Sequence, residues 1–388
     1  MIESRTADVA NKCRAAADRL YDYLITRHVG SDGAVTGPDF GVRFNLRVGR
    51  LVKSYLRFLP WSDIYYYTQG QAYWILANLE LHRLTGDSAY LRHAVRCCDA
   101  MLARQMPQGY WEFPHNEWKG VIATVETCFG GIGLLAGYEA TGDERYLAAA
   151  RQTYDYIIHE VGFQKYDDDS LAVNYFSNRT RALVPNNSTL AVWFCAALNR
   201  ATGEPEYLGD YCTKMINFLV RCQFASGELP YSVAGESYPG RDHYQCFQYN
   251  SFEFMDLVEY RRLTGDNRVV PLMRRLAEFL SHGLTKEDNI RADCFSDWPV
   301  RHYCTAAISA ALTRATQEGL GDYSETAARG FAKLMSWQRK DGGFDFSVRD
   351  YGMFADRRSY PRVMCMILRH LLIGSELGAS KPGEVANA

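Results

Sequence analysis

No stretch of the sequence holds the ~20 consecutive apolar residues that a membrane-spanning helix needs. The polar opening from Met1 to Arg14, mixed in charge, does not read as a secretory signal. Charge of one sign is lacking too. The 43 basic and 45 acidic side chains leave a net charge of −2, which gives no footprint for a phosphate backbone or an anionic lipid surface. There is no glycine-rich phosphate loop. The eleven cysteines follow no framework spacing, and Cys195, Cys304 and Cys365 sit inside apolar runs, where a thiol behaves as a small core residue. These absences predict a cytoplasmic chain in a reducing compartment. They also predict no nucleic-acid partner and no transmembrane segment.

What is present is a repeat. A small or apolar residue, threonine, glycine and an acid arrive together four times: Leu84-Thr85-Gly86-Asp87, Ala140-Thr141-Gly142-Asp143, Ala201-Thr202-Gly203-Glu204 and Leu263-Thr264-Gly265-Asp266. The threonines are 56, 61 and 62 residues apart. Glycine just past a helix end takes the left-handed cap conformation without a Cβ penalty. The acid after it suits the free N–H groups and positive end of a following helix. Each tetrad therefore marks the corner of a helical hairpin, and a fixed period of this length means a repeat architecture.

The apolar periodicity places first helices over about 69–84, 124–139, 187–201, 248–263 and 302–316. Second helices cover about 89–104, 144–160, 206–222, 267–282 and 323–337, and a further one about 47–58. A helix over about 7–27 has no partner before it, and one from about Tyr360 to Leu377 has none after it. Pairing these two closes a ring of six hairpins. The expectation is an all-α (α/α)6 toroid over residues 1–377, with a flexible tail over 378–388. Corners are short, but the links back from each second helix run about 20 residues against a usual median of ~4–6. Long loops in a compact domain carry function. All six should open on one rim, at the N-terminal ends of the inner helices.

Three links begin alike: Gln105-x-x-x-Gly109-Tyr110-Trp111, Gln223-x-x-x-Gly227-Glu228-Leu229 and Gln338-x-x-x-Gly342-Gly343-Phe344, with a reduced version at Gln164. They read as structural staples, as do the corners. Together with the corners they resemble the six-hairpin α/α toroid superfamily over about residues 65–375. That group includes unsaturated-uronyl hydrolases, sugar 2-epimerases, toroid-type polysaccharide lyases and, more distantly, terpenoid-cyclase and prenyltransferase toroids. Val184-Pro185-Asn186-Asn187-Ser188 also looks like toroid proteins associated with polysaccharide metabolism. The resemblance implies a carbohydrate-active enzyme without choosing its chemistry.

The rim holds the residue types that such chemistry needs. Sugars are bound by aromatic faces and by planar donors, acceptors and guanidinium forks. Trp111, Trp118 and Tyr231 are the expected stacking surface. Asn186, Asn187, Arg301 and His302 would bind the substrate or neutralise its carboxylate, with His115 and Tyr303 beside them. Proton transfer next to a uronate carboxyl calls for His or Tyr, which makes His243, Tyr244 and Asp242 the catalytic candidates. For each single histidine, pairing with loop backbone is the blander reading. A hydrolase would need two carboxyls at set separation, with Asp167-Asp168-Asp169, Asp242 and Glu117 available. Three acids in a row are more often a solvated or capping patch. The terpenoid alternative lacks its Asp-x-Asp-Asp and Asp-Asp-x-x-Asp signatures. The sugar 2-epimerase Gly-His-x-x-Glu-Trp segment and the lanthionine-cyclase Cys-His pair are absent too. Asp293-Cys294 is adjacent rather than spaced as in prenyltransferase zinc sites, so no metal and no cofactor is assigned. A non-catalytic glycan- or protein-binding toroid is the remaining alternative.

Overall fold

Residues 2–39, 44–59, 61, 64–114, 122–177, 182–235, 238–350 and 354–378 are described by a computed structural model. Thirteen α-helices occur among them, in the order α1 (Ile2–Arg27), α2 (Phe44–Tyr55), α3 (Thr68–Thr85), α4 (Ser88–Leu102), α5 (Thr124–Thr141), α6 (Glu144–Tyr156), α7 (Pro185–Thr202), α8 (Asp210–Cys222), α9 (Cys246–Thr264), α10 (Val270–Ser281), α11 (His302–Gln317), α12 (Ser324–Ser336) and α13 (Pro361–Gly374). The odd-numbered helices from α3 to α13 pack side by side into a closed inner ring, α13 returning to α3. The outer layer is α4, α6, α8, α10 and α12, and α1 completes it by packing on α13 and α12. The pairing of first helix with last is as expected, and the fold is an (α/α)6 toroid.

The corners form for the reasons their residues supply. Gly86, Gly142, Gly203 and Gly265 all sit in left-handed caps, their N–H groups donating to His82, Tyr138, Asn199 and Arg261 carbonyls. Asp87, Asp143 and Asp266 then accept from Ala89, Arg145 and Arg268 N–H groups, as an N-cap acid does. The threonine has a job of its own. Thr85 Oγ1 donates to the Leu81 carbonyl and accepts from Asp87 N–H, and Thr141, Thr202 and Thr264 repeat this. Glu204 departs from the pattern. It makes no cap bond and holds Arg151 instead.

Each link glutamine joins its own loop to the neighbouring outer helix. Gln105 Nε2 donates to Gly109 and Ala149 carbonyls, Gln223 to Gly227 and Leu272, and Gln338 to Gly342 and Ala16. The glycine is required twice over. Gly227 has φ +93, and a Cβ there would lie 2.2 Å from the Arg275 carbonyl oxygen. Gln164 differs from its expected role. After α6 the chain makes one wide helical turn, Ile157–Val161, and enters a hairpin of β1 (Phe163–Asp167) and β2 (Ser170–Val173). Asp167–Asp169 make its turn, with Asp167 paired to Arg221 and the exposed Asp168 to Lys165. The acid run is thus a solvated turn and not a hydrolytic pair.

The links meet at one lip, as the ring requires. Ala123 bridges Phe176, Leu183 bridges Val233, and β3 (Val300–Arg301) pairs antiparallel with β4 (Ser347–Arg349). Each of these contacts joins two different links. Hydrophobic side chains fill the space between the two layers, among them Trp74, Phe218, Phe254 and Phe331, all fully buried. Each such side chain contributes about 1.5–3 kcal/mol. Ten of the eleven cysteines are buried free thiols and Cys294 is part-exposed. On the axis at the far, corner end, a cavity of about 120 Å³ remains between Ile132, Trp193 and Arg369. No helix of the described residues is long and apolar enough to cross a membrane.

Candidate active site

The first turns of the inner helices and the links above them gather cations, amides and phenols at the lip, a region termed the funnel, with small hollows beside Arg301 and beside Arg362. Arg362, second residue of α13, gives Nε and Nη2 to the two oxygens of Asp39 at 2.8 Å each, and Nη1 to Gln69 Oε1 at 3.1 Å. Its guanidinium also lies 4.2 Å from the Tyr67 ring centre. Two parallel bonds fix the plane of a guanidinium as a single contact cannot. At the neighbouring inner helix, Arg301 precedes α11 and donates to Asp350 at 3.0 Å and to Gln245 Oε1 at 3.2 Å. The β3–β4 pairing joins the two links, with Val300 opposite Arg349, the residue before Asp350. Gln245 is held at φ 47, a left-handed backbone that a side chain rarely tolerates. Strain at that point is consistent with a residue placed for its amide. Tyr303 lies within electrostatic reach of both arginines, and its hydroxyl donates to Gln248 Oε1 at 3.0 Å.

A cluster of phenols adjoins them. Tyr231 packs on Tyr244 and Tyr249 at 4.9 and 4.8 Å between ring centres, and Tyr249 in turn feels Tyr175 and Tyr303. The Arg241 guanidinium lies 3.6 Å from the Tyr244 ring centre. Burial, above all else, drives the Tyr249 phenol well above its ordinary range, so it is held protonated. Asn186 is part-exposed at the start of α7. On α5, the buried Glu126 accepts from the Gln69 N–H at 3.1 Å and so caps the neighbouring α3, whose own N-cap residue Tyr67 makes no side-chain cap bond. Burial raises the Glu126 carboxyl above its ordinary range.

Several expected site residues prove to be elsewhere. Trp111 is buried, its indole N–H donating to the Met101 carbonyl and its ring lying where a Cβ on Gly130 would stand. It packs the layers together and offers no sugar-stacking face. His302 is buried and stacks on Trp337 at 4.6 Å. Burial lowers it to about 3, so it stays neutral in the core and is no partner for a carboxylate. Asn187 is fully buried, and its amide has no hydrogen bond among the described residues. Asp242 is exposed. Its carbonyl, not its carboxylate, takes the Tyr231 and Tyr244 N–H groups. His115 and Trp118 lie outside the described residues. Tyr231, Tyr244, Arg301 and Asn186 remain on the funnel, while Tyr303 is 3% exposed and gives its hydroxyl to Gln248.

His243 and Tyr244 are neighbours in sequence with different surroundings. The His243 ring packs on Phe224 and Phe295, and its Nδ1 lies 2.9 Å from Glu228 Oε2. The Glu228 side chain is 1% exposed and its carboxyl is pushed up, chiefly by burial. Sequence reasoning missed Glu228 along with Arg362 and Asp39 as funnel or rim groups. Only Arg362 had a usable signal, since it opens α13 at the position that Gln69 takes in α3 and Asn186 in α7.

No protein-family model matches the chain, and no curated protein does. Solved structures do resemble it. A cellobiose 2-epimerase from Bacillus thermoamylovorans B4167 superposes with a TM-score of 0.73 at 13% identity, covering 94% of this chain and 98% of that one. A polysaccharide lyase gives 0.60 at 12% identity over 85% and 95%. A glycosyl hydrolase family 88 protein from Bacteroides vulgatus gives 0.60 at 13% over 85% and 97%. At these identities the likeness establishes the toroid fold.

Proposed function

We propose that the chain is a carbohydrate-active enzyme that works on an acidic oligosaccharide or glycan by acid/base chemistry, as a lyase, hydrolase or epimerase. The observation that carries this reading is the pair Arg301 and Arg362, each oriented by a buried aspartate at the mouth of one funnel. Guanidinium groups fixed in this way suit a uronate carboxylate. Asn186 and Gln69 supply amides for hydroxyls, and Tyr231 and Tyr244 supply ring faces. Tyr249, held protonated, donates a proton to the departing oxygen or to the sugar carbon. Tyr231, hydrogen-bonded to Tyr249, is the group that would exchange a proton with it. The toroid is also the fold of the epimerase, lyase and hydrolase structures above. A terpenoid cavity would instead be lined with bare aromatic and aliphatic side chains, and the arginines and amides here argue against it.

The experiment is a screen of the purified chain against uronate-containing oligosaccharides and their neutral counterparts, read by product analysis and by absorbance of the unsaturated uronate. Arg301→Met and Arg362→Met should each lower kcat/KM on the uronate substrate at least about tenfold, since a hydrogen bond to a charged group contributes about 1.5–3 kcal/mol. Turnover of neutral sugars only, unchanged in both variants, would refute the acidic-substrate reading.

A further inference from the structure

Beside the funnel, the rim carries a second cluster that saccharide binding does not use. Glu228 comes from the link between α8 and α9, Cys246 is the first residue of α9, and Cys294 lies in the link between α10 and α11. Their donor atoms all lie within 4.8 Å of one another. Cys246 Sγ and Cys294 Sγ are 3.5 Å apart, and Cys294 Sγ is 3.5 Å from Glu228 Oε2. Around a tetrahedral zinc ion, with Zn–S about 2.3 Å and Zn–O about 2.0–2.2 Å, ligand atoms stand about 3.3–3.8 Å from each other. Both measured edges fall in that window with the backbone where it is.

We propose that Cys246, Cys294 and Glu228 bind a thiophilic divalent cation, zinc, with His243 fixing the carboxylate from behind. Two soft sulfur donors and one carboxylate suit zinc better than magnesium or calcium, which take oxygen alone. The Nδ1 contact from His243 to Glu228 at 2.9 Å is the kind of outer partner that orients a ligating carboxylate. Burial and the nearby Glu228 hold the Cys246 thiol protonated, so the ion binds by displacing that proton. Cys294 and His243 are partly exposed, which gives the ion a way in, and solvent on that side supplies the fourth position. Binding releases the two thiol protons to solvent, and no electron moves. The ion would tie two neighbouring rim links to the start of an inner helix. This holds whether or not the funnel takes an acidic sugar.

The test uses the full chain, stripped with a chelator and titrated with cobalt(II). Thiolate-to-cobalt charge transfer and the strong visible bands of tetrahedral cobalt should saturate at about one ion per chain, and zinc should abolish them. Cys294→Ser, at a part-exposed position, should remove the charge-transfer signal. His243→Asn should keep it while weakening binding about 10- to 100-fold. A folded wild-type chain with no such bands overturns the proposal. So does a thiol count in denaturant that reveals a native Cys246–Cys294 disulfide.

Discussion

Asp39→Ala isolates what holds the funnel's best-placed cation. Asp39 is 2% exposed, and its two oxygens take two Arg362 donors at 2.8 Å each. Removing the carboxylate leaves a guanidinium in the protein interior with its main partner gone, a loss of about 3–5 kcal/mol. Arg362 keeps Gln69 and the Tyr67 ring, and its side chain is 17% exposed toward the funnel. Water can therefore reach it, which favours the lower figure. Unfolding entropy of about 2.1 cal/mol/K per residue comes to roughly 0.8 kcal/mol/K for this chain, so the melting temperature should fall by about 4–6 °C. The double variant Asp39→Ala/Arg362→Met should recover most of that fall, because an apolar pair of similar volume does as well as a buried ion pair. Scanning calorimetry reads both. A single variant that melts within about 1 °C of wild type, or a double variant no better than the single, would refute the reasoning.

Two further outcomes test the frame and its titration. Gly227→Ala must place a Cβ 2.2 Å from the Arg275 carbonyl at φ +93. It should cost at least about 1–3 kcal/mol, whereas an alanine at the exposed corner Gly142, with nothing within 4 Å, should cost only the strain of its left-handed backbone. Equal denaturant midpoints for the two would sink the close-packing account. His302 is lowered from 6.5 to about 3 in the folded chain, so between those values the unfolded chain binds a proton that the native one does not. Stability is thus full above about pH 6.5 and falls on acidification, by up to 1.36 kcal/mol per pH unit for one such group. In His302→Phe, which keeps the stack on Trp337, the slope of stability against pH between 4 and 6 should flatten by about one proton. An unchanged slope would mean that His302 is not buried neutral.

The ring was legible because its determinants are local. Thr85-Gly86-Asp87 and its three relatives encode their corner within four residues, and Gln223 and Gly227 encode their link within five. The site was legible only in outline, because its residues are brought together by ring closure. Arg362 meets Asp39, 323 positions earlier, and no window of sequence holds both. His302 and Trp111 misled for a related reason. Trp111 lies in a link and His302 opens α11 at the lip, yet each turns back between the helical layers, His302 onto Trp337 and Trp111 beneath Gly130. Cys294 looked unsuited to a metal because adjacency to Asp293 was the wrong test. Its neighbours in space are Cys246 and Glu228, 48 and 66 residues away.

Under the proposed acidic-substrate reading, the helix geometry acts in the same direction as the side chains. Every inner helix runs from the lip toward the corners, so six N-termini face the funnel and their dipoles add positive potential there. A neutral sugar gains little from that field. A uronate gains from the dipoles and from Arg301 and Arg362 together. Asp39 and Asp350 are both nearly sealed from solvent behind the arginines they hold. Asp39 fixes the Arg362 plane with two bonds and Asp350 holds Arg301 through Nε, while the two arginine side chains keep 17% and 15% exposure. Here the exposed member of each pair is the one that can meet a carboxylate.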